Sequence, residues 1–513
     1  MVIKANKLSR ETMITRHRNY KYLLLLMAFI LVAILGVPTS CTTPAQEQET
    51  KPEAVGIGVI LQEGNDLPKT QLQSERSPDL EDNHIGVGLG TYYKEDSPIP
   101  SPFCSDSYGD DPELVYSLGC KWIRIAFDDW VGDPLDWQNV EVEPGRYLIK
   151  PESEITGDKK LSGKTYPVTH LSVDEVISEY ANNNITVVLN LGVGNEGNSH
   201  DVSRFRSSDD LERYCNYVRF MVNHFSNRIE YFEIWNEPAG AGDIPDYTYL
   251  VKHVVPIIRE ENPKAKIVIG ALSGIWVTEY PGYDYERYSI DVDYIKEFLG
   301  PDIAPMIDVI SWHPLYNNRP NDPYYQNYPQ MIREIKEFAA SNGFKGEYLA
   351  EEITWRTYQT EFEIGEQFNE NVAKKYYARA IIMHRGLNVT VSILLRASGL
   401  LDMIPNICTI MAGVEPIDLP VGIQSEATNI TSYTFSLPNG DKLLALWTDG
   451  VAIDDDPGVN TTLTLPSFSA QKVVGIDVLN GFEQQLVTSI EDGDLVIRDL
   501  LVKDYPIILR LTK

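Results

Sequence analysis

The sequence is poor in cysteine, histidine and positive charge, and each shortage argues against a class of protein. Only five of its 513 residues are cysteine and eight are histidine. The spacing of Cys104, Cys120, Cys215 and Cys408 matches no metal site, and four cysteines are too few for a disulfide scaffold. The 44 basic residues face 74 acidic ones, and the net charge of −30 disfavours a nucleic-acid partner. We therefore expect no metal, no cofactor and no nucleic acid.

Long apolar runs are also scarce, and the one sustained run covers residues 23–37. It is shorter than the about 20 residues of a membrane-spanning helix. Six basic residues precede it and Pro-Thr-Ser-Cys41 follows it, which is the arrangement of a secretory signal peptide. The cysteine resembles that of bacterial lipoprotein signals. We predict a signal peptide over 1–41, lipidation of Cys41, and an exported protein on the extracytoplasmic side that contacts the membrane through its lipid only. An uncleaved anchor helix is the alternative.

From residue 85 to residue 415, short runs rich in β-branched residues alternate with amphipathic helical segments. This alternation is typical of βαβ units, and eight runs predict a (β/α)₈ TIM barrel. A doubly wound sheet is the alternative, but it usually has a glycine-rich nucleotide loop after its first strand. Here Gly86 and Gly88 form only a glycine pair within the first run. The eight runs are 85–92, 121–127, 185–191, 229–235, 266–271, 307–312, 346–353 and 389–395.

The composition changes on both sides of the predicted barrel. Residues 42–84 are rich in Gln, Glu, Pro and Ser and lack a sustained periodicity, which indicates a flexible linker. After residue 415, turn signals such as the Asn-Gly pair at 480–481 separate short alternating or apolar runs. We therefore predict that residues 416–513 form a small C-terminal antiparallel β-sandwich domain.

Carboxyl groups mark the ends of two predicted strands. The fourth run ends in Trp-Asn-Glu-Pro, residues 235–238, and its Glu237 lies where TIM barrels place their active sites. Glu233 would lie on the same side but deeper, and we do not expect it to be catalytic. The seventh run carries Glu351 and Glu352. Because side chains alternate along a strand, we expect these two to point to opposite faces, so that only one of them reaches the barrel mouth unless the strand has already ended.

Four segments resemble those of glycoside hydrolase clan A. Residues 233–238 (Glu-Ile-Trp-Asn-Glu-Pro) look like the clan's acid/base segment, and residues 350–355 (Ala-Glu-Glu-Ile-Thr-Trp) resemble its nucleophile segment. Residues 311–316 (Ser-Trp-His-Pro-Leu-Tyr) and 118–124 (Leu-Gly-Cys-Lys-Trp-Ile-Arg) resemble segments of its sixth and second strands. Within the clan, the layout is most similar to family 39, with family 5 next.

The resemblance implies a retaining hydrolase of O-glycosidic bonds in oligo- or polysaccharides that uses two carboxyl groups. Glu237 would be the acid/base and Glu352 the nucleophile, with Glu351 at the position usually held by threonine. Arg124 would favour the ionised form of Glu352. The other residues expected to bind substrate are Asn236, His313 and Tyr316 by hydrogen bonds, and Trp130, Trp276, Trp312 and Trp355 as platforms for sugar rings, unless these tryptophans pack in the core or at the rim.

One departure from the clan's pattern keeps other hypotheses open. Clan members usually have a tryptophan at the end of the eighth strand, whereas the segment 392–398 has Arg396 near that point. The main alternative is therefore a carbohydrate-binding surface protein on a barrel that has lost turnover. A surface adhesion or structural protein is a third hypothesis, which the charge and the linker permit. The sugar and its linkage depend on the loops after the strands, and loop composition does not identify them.

Overall fold

The computed structural model describes residues 60–89, 112–126, 135–149, 157–161, 164–168, 173–192, 202–238, 243–269, 292–355, 357, 368–395 and 402–512. They belong to one compact unit, Pro52–Lys513. Among these residues, no helix is both long enough and apolar enough to span a membrane. The predicted signal peptide with Cys41 lies outside the described residues, as do Trp130, Trp276 and Arg396.

Eight parallel strands close into a barrel in chain order, and the eighth strand pairs with the first. Each predicted run contains one of these strands, so the (β/α)₈ prediction is confirmed. Their continuous apolar character agrees with burial on both faces of a parallel sheet. The strands are β1 Ile85–Leu89, β2 Trp122–Ile125, β3 Thr186–Leu191, β4 Tyr231–Ile234, β5 Lys266–Ile269, β6 Val309–Trp312, β7 Glu347–Ile353 and β8 Val391–Leu394.

Helices alternate with the barrel strands and bury apolar side chains. In the helix Ser208–Phe225, Tyr214, Val218 and Met221 recur at helical spacing and are all fully buried. The helices are α1 Pro112–Leu118, α2 Trp137–Val140, α3 Val173–Asn182, α4 Ser208–Phe225, α5 Ile244–Glu261, α6 Val292–Phe298, α7 Pro323–Ser341, α8 Glu370–Gly386 and α9 Ile404–Ile410, with 3-10 turns at Ser77–Asp79 and Val202–Arg206.

Side chains inside the barrel form a packed core rather than a pore. The largest are Trp122 and Tyr231, whose ring centroids are 5.0 Å apart. Gly86 makes room for them, because a Cβ at this position would lie 2.7 Å from the Cβ of Trp122. This glycine of the first strand therefore has a packing role. The other members of this cluster are Val188, Val268, Val309, Leu349, Val391 and Ile393.

Two antiparallel sheets after the barrel form the predicted β-sandwich. Their strands are β9 Glu415–Ile417, β10 Gly422–Ser425, β11 Ile430–Ser436, β12 Lys442–Thr448, β13 Val459–Leu465, β14 Lys472–Asp477, β15 Phe482–Gln485, β16 Ser489–Glu491, β17 Asp494–Val502 and β18 Ile507–Thr512. The larger sheet has the order Lys69–Gln71, β15, β14, β18, β12, β11, β9, and the smaller has the order β10, β13, β17, β16. Two hairpins, Glu141–Glu143 with Arg146–Tyr147 and Gly157–Leu161 with Lys164–Val168, lie between β2 and β3.

Residues 60–84 are part of the folded protein, so this part of the linker prediction is wrong. Lys69–Gln71 forms an edge strand that pairs antiparallel with β15. Leu61 is fully buried, and the side-chain amide of Gln62 donates to two backbone carbonyls of the β-sandwich. These partners lie more than 400 residues away in the chain, and local periodicity therefore does not reveal them. Residues 42–59 lie outside the described residues.

Helix α8 joins the barrel to the β-sandwich through two buried cations. Lys375 is 2% exposed, and its Nζ lies 2.7 Å from Oδ1 of Asp504. The fully buried Arg379 donates from Nε to the backbone carbonyl of Asp504 at 2.8 Å and from Nη1 to that of Gly450 at 2.7 Å. The contact between the domains therefore contains matched polar groups as well as apolar ones. We call Lys375, Arg379 and Asp504 the seam.

Three cysteines lie among the described residues, and all three are free thiols. The Sγ atoms of Cys120, just before β2, and Cys408, in α9, are 3.9 Å apart and both residues are buried. Burial is also the main reason that the pKa of the Cys408 thiol is raised well above its usual range. Cys120 and Cys408 therefore pack as small buried side chains, whereas Cys215 is partly exposed.

Candidate active site

Four barrel strands carry polar side chains to the mouth at their carboxyl ends, where TIM barrels build their sites. Arg124 lies on β2 and Glu352 on β7, while Glu237 follows β4 and His313 follows β6. Arg124 and His313 are almost completely buried, whereas the side chains of Glu237 and Glu352 are 24% and 20% exposed. The two carboxyl groups are therefore the part of this cluster that a ligand can reach.

Both exposed glutamates have a left-handed backbone conformation. The φ angle is +46° at Glu237 and +52° at Glu352, and it is also positive, +69°, at Trp235. Residues other than glycine rarely adopt this region, and each such position costs about 1–3 kcal/mol. Strained residues of this kind cluster at functional sites. Here they include the two residues whose carboxyl groups lie side by side at the mouth.

Strand β7 carries two neighbouring glutamates into the barrel. Its register against β8 shifts between Ala350 and Ile353, which marks a β-bulge at the left-handed Glu352. A bulge adds one residue to a strand and breaks the alternation of side chains. Consequently Glu351 and Glu352 both reach Arg124, at 3.2 and 2.8 Å. The expectation that they point to opposite faces is wrong, because alternation requires a regular ladder.

The carboxyl groups of Glu237 and Glu352 lie close together across the mouth. One oxygen of each and one ring nitrogen of His313 all lie within 4.8 Å of one another. Nδ1 of His313 is 2.7 Å from Oε1 of Glu237 and 3.5 Å from Oε2 of Glu352. The imidazole is therefore hydrogen-bonded to Glu237 and close to Glu352, so that β4, β6 and β7 meet at one point.

The same three side chains could each offer one ligand atom to a cation. In the structure, however, these carboxyl groups already have partners within the protein. His313 is at hydrogen-bond distance from Glu237, and Arg124 donates from Nη1 to Oε1 of Glu352 at 2.8 Å. Each carboxyl group is thus already in contact with a nitrogen atom of the protein, and we assign no metal to these residues.

Arg124 binds partners on two strands, β4 and β7, and one residue just after β4. Besides Glu352, it donates from Nη2 to Oδ1 of Asn236 at 2.7 Å and from Nε to Oε2 of Glu233 at 2.9 Å. A guanidinium presents several N–H groups in a rigid plane, which suits this number of acceptors better than an ammonium group would. The structure therefore brings Arg124, Asn236 and Glu352 together.

Two residues beneath the mouth, Asn190 and Ser311, were not among those expected from the sequence. The amide of Asn190, on β3, donates to Oε2 of Glu233 at 3.0 Å and to the carbonyl of Trp235 at 2.8 Å. The hydroxyl of Ser311, on β6, lies 2.7 Å from the carbonyl of Ile269 and 3.1 Å from Oε1 of Glu233. Both are polar residues within otherwise apolar strands, and that contrast is the signal that could have identified them. Together they bind Glu233, which is fully buried.

The two neighbours on β7 differ in their surroundings. Glu352 is 20% exposed, whereas Glu351 is fully buried. Burial, followed by the charge of Glu233, raises the pKa of Glu351 well above its usual range, and Arg124 opposes this rise. Glu352 can therefore meet a ligand, while Glu351 belongs to the buried polar layer beneath it.

Two of the tryptophans proposed as sugar platforms are fully buried in the structure. The indole N–H of Trp312 donates to the hydroxyl of Tyr328 on α7 at 3.0 Å, and that of Trp355 donates to the carbonyl of Asn318 at 2.7 Å. A covered indole cannot stack on a sugar ring, so the structure favours core packing for both. Tyr316 is 7% exposed, and its backbone forms an isolated bridge beside β7.

Comparison with known families links the barrel to carbohydrate hydrolases. Residues 113–343, which include β2 to β6 with Glu237 and His313, match the family model described as cellulase (glycosyl hydrolase family 5). The matched segment ends before Glu352. No curated protein matches the chain.

Solved structures resemble the chain over most of its length. A family 39 glycoside hydrolase from the gut symbiont Bacteroides cellulosilyticus WH2 is similar with a TM-score of 0.56 and 16% identity, over 87% of this chain and 84% of that one. A family 51 α-L-arabinofuranosidase from Bifidobacterium longum has a TM-score of 0.49 and 13% identity, over 86% of this chain and 98% of that one. The chain thus has the barrel fold of clan A glycoside hydrolases, and the match to a hydrolase family supports a glycosidase.

Proposed function

We propose that the chain is a retaining glycoside hydrolase in which Glu237 is the acid/base and Glu352 the nucleophile. The observation that carries this proposal is the short separation of their carboxyl groups, since one oxygen of each lies within 4.8 Å of the other. Retaining enzymes place the two groups about 5–5.5 Å apart, whereas inverting enzymes leave about 6.5–9.5 Å for a water molecule. The family match over residues 113–343 supports the same class of enzyme.

In the first step, an oxygen of Glu352 attacks the anomeric carbon as the glycosidic C–O bond breaks. Glu237 gives its proton to the departing oxygen, so the leaving group departs as a neutral alcohol. The guanidinium of Arg124, 2.8 Å from Glu352, favours the ionised carboxylate that this attack requires. His313, 2.7 Å from Glu237, keeps the acid beside the same reaction centre.

In the second step, the resulting ester between Glu352 and the sugar is hydrolysed. The Glu237 carboxylate takes a proton from a water molecule, whose oxygen attacks the anomeric carbon and breaks its bond to Glu352. The configuration at that carbon is inverted twice and hence retained. Both steps need two carboxyl groups that flank the bond to be broken, and Glu237 after β4 and Glu352 on β7 face each other across the mouth.

The choice between the two neighbours on β7 follows from exposure. Only an oxygen that a substrate reaches can attack it, and Glu352 is 20% exposed whereas Glu351 is fully buried. Glu352 also lies 3.5 Å from His313, which is hydrogen-bonded to the proposed acid. We therefore assign the nucleophile to Glu352.

The test uses the purified chain without its predicted signal peptide and a panel of aryl glycosides and polysaccharides. Glu352→Gly should lose turnover, and azide should restore it and yield a glycosyl azide of the configuration opposite to that of the substrate. The matched control is Glu351→Gly, which should show no rescue by azide. Rescue of Glu351→Gly instead would overturn the assignment. Binding without turnover by the parent chain on every substrate would favour the carbohydrate-binding alternative.

We also propose that the enzyme is exported and held on the extracytoplasmic side by a lipid on Cys41. The basic residues, the apolar stretch 23–37 and the cysteine that follows support this proposal. Expression of the full chain with a labelled fatty acid should label the parent but not Cys41→Ser. Labelling of both chains, or of neither, would contradict it.

A further inference from the structure

The polar layer beneath the mouth has more carboxyl groups than its positive charge can balance. Glu233 and Glu351 are both fully buried, and both lie beside the guanidinium of Arg124, at 2.8 and 3.2 Å. Glu352 is the third carboxyl group on the same guanidinium, at 2.8 Å. If all three were ionised, two negative charges would remain uncompensated. Burying an uncompensated charge is so unfavourable that the group takes up a proton instead.

The hydrogen-bond donors show which group is left without a partner. Nε of Arg124 has one hydrogen, and it is donated to Oε2 of Glu233 at 2.9 Å. Asn190 donates to Glu233 as well, at 3.0 Å, and the hydroxyl of Ser311, which is also 2.7 Å from the carbonyl of Ile269, lies 3.1 Å from it. Neither oxygen of Glu351 accepts a hydrogen bond from any residue that the structure describes. The donors of the layer thus converge on Glu233.

A buried carboxylate without donors is unstable, whereas a buried carboxylic acid can itself donate. Glu233 is the acceptor beside Glu351, and its charge, together with burial, raises the pKa of Glu351. The remaining groups that surround the pair are Arg124 on β2, Glu352 on β7, Asn190 on β3 and Ser311 on β6. Of these only Arg124 is a cation, and it is bound by Glu233 and Glu352.

We propose that Glu351 is a permanently neutral carboxylic acid that donates its O–H to Glu233, and that it acts as a positioning residue for Arg124. With this proton in place, the layer holds one guanidinium, the carboxylate of Glu233 and the carboxylate of Glu352. Nη1 of Arg124 then stays on Glu352 at 2.8 Å. An ionised Glu351 would compete for the same guanidinium and draw it away from Glu352. The second half of this proposal rests on the proposed role of Glu352 as nucleophile.

The first test detects the proton and needs no substrate. The infrared spectrum of the purified chain at pH 7 should contain the C=O stretching band of a protonated carboxyl group that Glu351→Gln lacks. The matched control is Glu337→Gln, an exposed position on α7, which should keep the whole band. An identical band in the parent and in Glu351→Gln would overturn the proposal. Glu351→Thr serves as a second variant should the glutamine chain fail to fold.

The second test uses the pH dependence of unfolding. In the unfolded chain Glu351 titrates near its ordinary value of 4.5, whereas in the folded chain its pKa is higher. Between these two values the folded state binds more protons, so stability is full below pH 4.5 and falls as the pH rises. Relative to Glu351→Gln, the folding equilibrium constant of the parent should fall about tenfold per pH unit above 4.5. Glu337→Gln should follow the parent, and parallel curves for the parent and Glu351→Gln would overturn the proposal.

The third test addresses the positioning role. Glu351→Ala should lower kcat about 10–100-fold with little change in KM, because small displacements of reacting groups have effects of this size. Glu351→Gln keeps the donor and should restore much of the loss. Equal kcat values for the two variants would overturn the positioning role. If the parent chain shows the protonated carboxyl band but turns over no glycoside, the proposed function is overturned. The proposal of a neutral Glu351 would then still be supported.

Discussion

Buried charges occur in two regions of the molecule, the barrel mouth and the seam, and their balance differs. At the mouth, the single guanidinium of Arg124 is surrounded by the carboxyl groups of Glu233, Glu351 and Glu352. At the seam, two cations meet the carboxylates of Asp504 and Asp449 and several backbone carbonyls. The donors of the seam therefore find acceptors, whereas the mouth has more carboxyl groups than positive charge.

This difference separates a stabilising arrangement from a functional one. Removing one partner from a matched buried pair costs about 3–5 kcal/mol, because the other partner stays buried and uncompensated. Crowded like charges and left-handed backbone at a site instead reduce stability, and they persist because function requires them. We therefore expect substitutions at the exposed mouth to affect turnover, and substitutions at the seam to affect stability. The following substitutions test this separation, in order of decreasing effect.

Glu237→Gln should give the largest change in rate. Loss of a general acid lowers kcat by about 10²–10⁴-fold. The free energy of unfolding should change little, because the substitution keeps the shape of a side chain that is 24% exposed. The loss of kcat is measured with aryl glycosides, and the free energy of unfolding is measured by denaturant titration. The loss in kcat should shrink for leaving groups that depart without a proton, and an equal loss for all leaving groups would contradict the role of Glu237.

Lys375→Met should lower the stability of the fold and leave the rate unchanged, which is the opposite of the result for Glu237→Gln. It leaves Asp504 buried without its cation, and the free energy of unfolding should fall by about 3–5 kcal/mol, with kcat unchanged. Its neighbour Lys374 provides the control, since its partner Asp402 is 66% exposed. Lys374→Met should therefore cost less than about 1 kcal/mol. Similar losses of stability for the two variants would remove the distinction between the seam and an ordinary surface pair.

Arg124→Lys should lower both kcat and the free energy of unfolding, because Arg124 binds the buried layer and the exposed carboxylate at once. An ammonium group cannot reach Glu233, Asn236 and Glu352 in the same plane. We expect kcat to fall about 10–100-fold and the free energy of unfolding to fall by about 1–3 kcal/mol, the cost of a buried acceptor without its donor. A change in kcat alone would mean that Arg124 does not support the buried layer.

The smallest effect is expected for a charge pair outside both regions. Glu491 and Arg498 form an ion pair in the smaller sheet, and its hydrogen bonds lower the pKa of Glu491 to about 2. Such a carboxylate stabilises the fold above its ordinary pKa, and this contribution is lost as the pH falls through about 2. Because solvent screens the pair, Glu491→Gln should leave the unfolding midpoint unchanged at pH 7. A clear decrease in this midpoint would show that an exposed ion pair stabilises the fold as well, so that burial would not be what distinguishes the seam.

Much of the fold and part of the site could be predicted from local patterns. Continuous apolar runs marked the barrel strands, because a strand buried on both faces excludes polar residues. The carboxyl ends of parallel strands meet at one mouth, so the placement of Glu237 and Arg124 on one barrel follows from strand order. The same reasoning failed at Glu351, since a bulge against β8 broke the alternation on which it relied.

By itself, then, the sequence determined the barrel, the β-sandwich that follows it, and the polar residues at the strand ends, because these depend on local periodicity. Only the tertiary structure decided that Glu351 and Glu352 both contact Arg124, that residues 60–84 pair with the β-sandwich, and that Trp312 and Trp355 pack in the core. Each of these outcomes depends on a contact with another element of the fold. Whether a carboxyl group is a nucleophile or a buried acid is decided by such contacts, since they set its exposure and its charge.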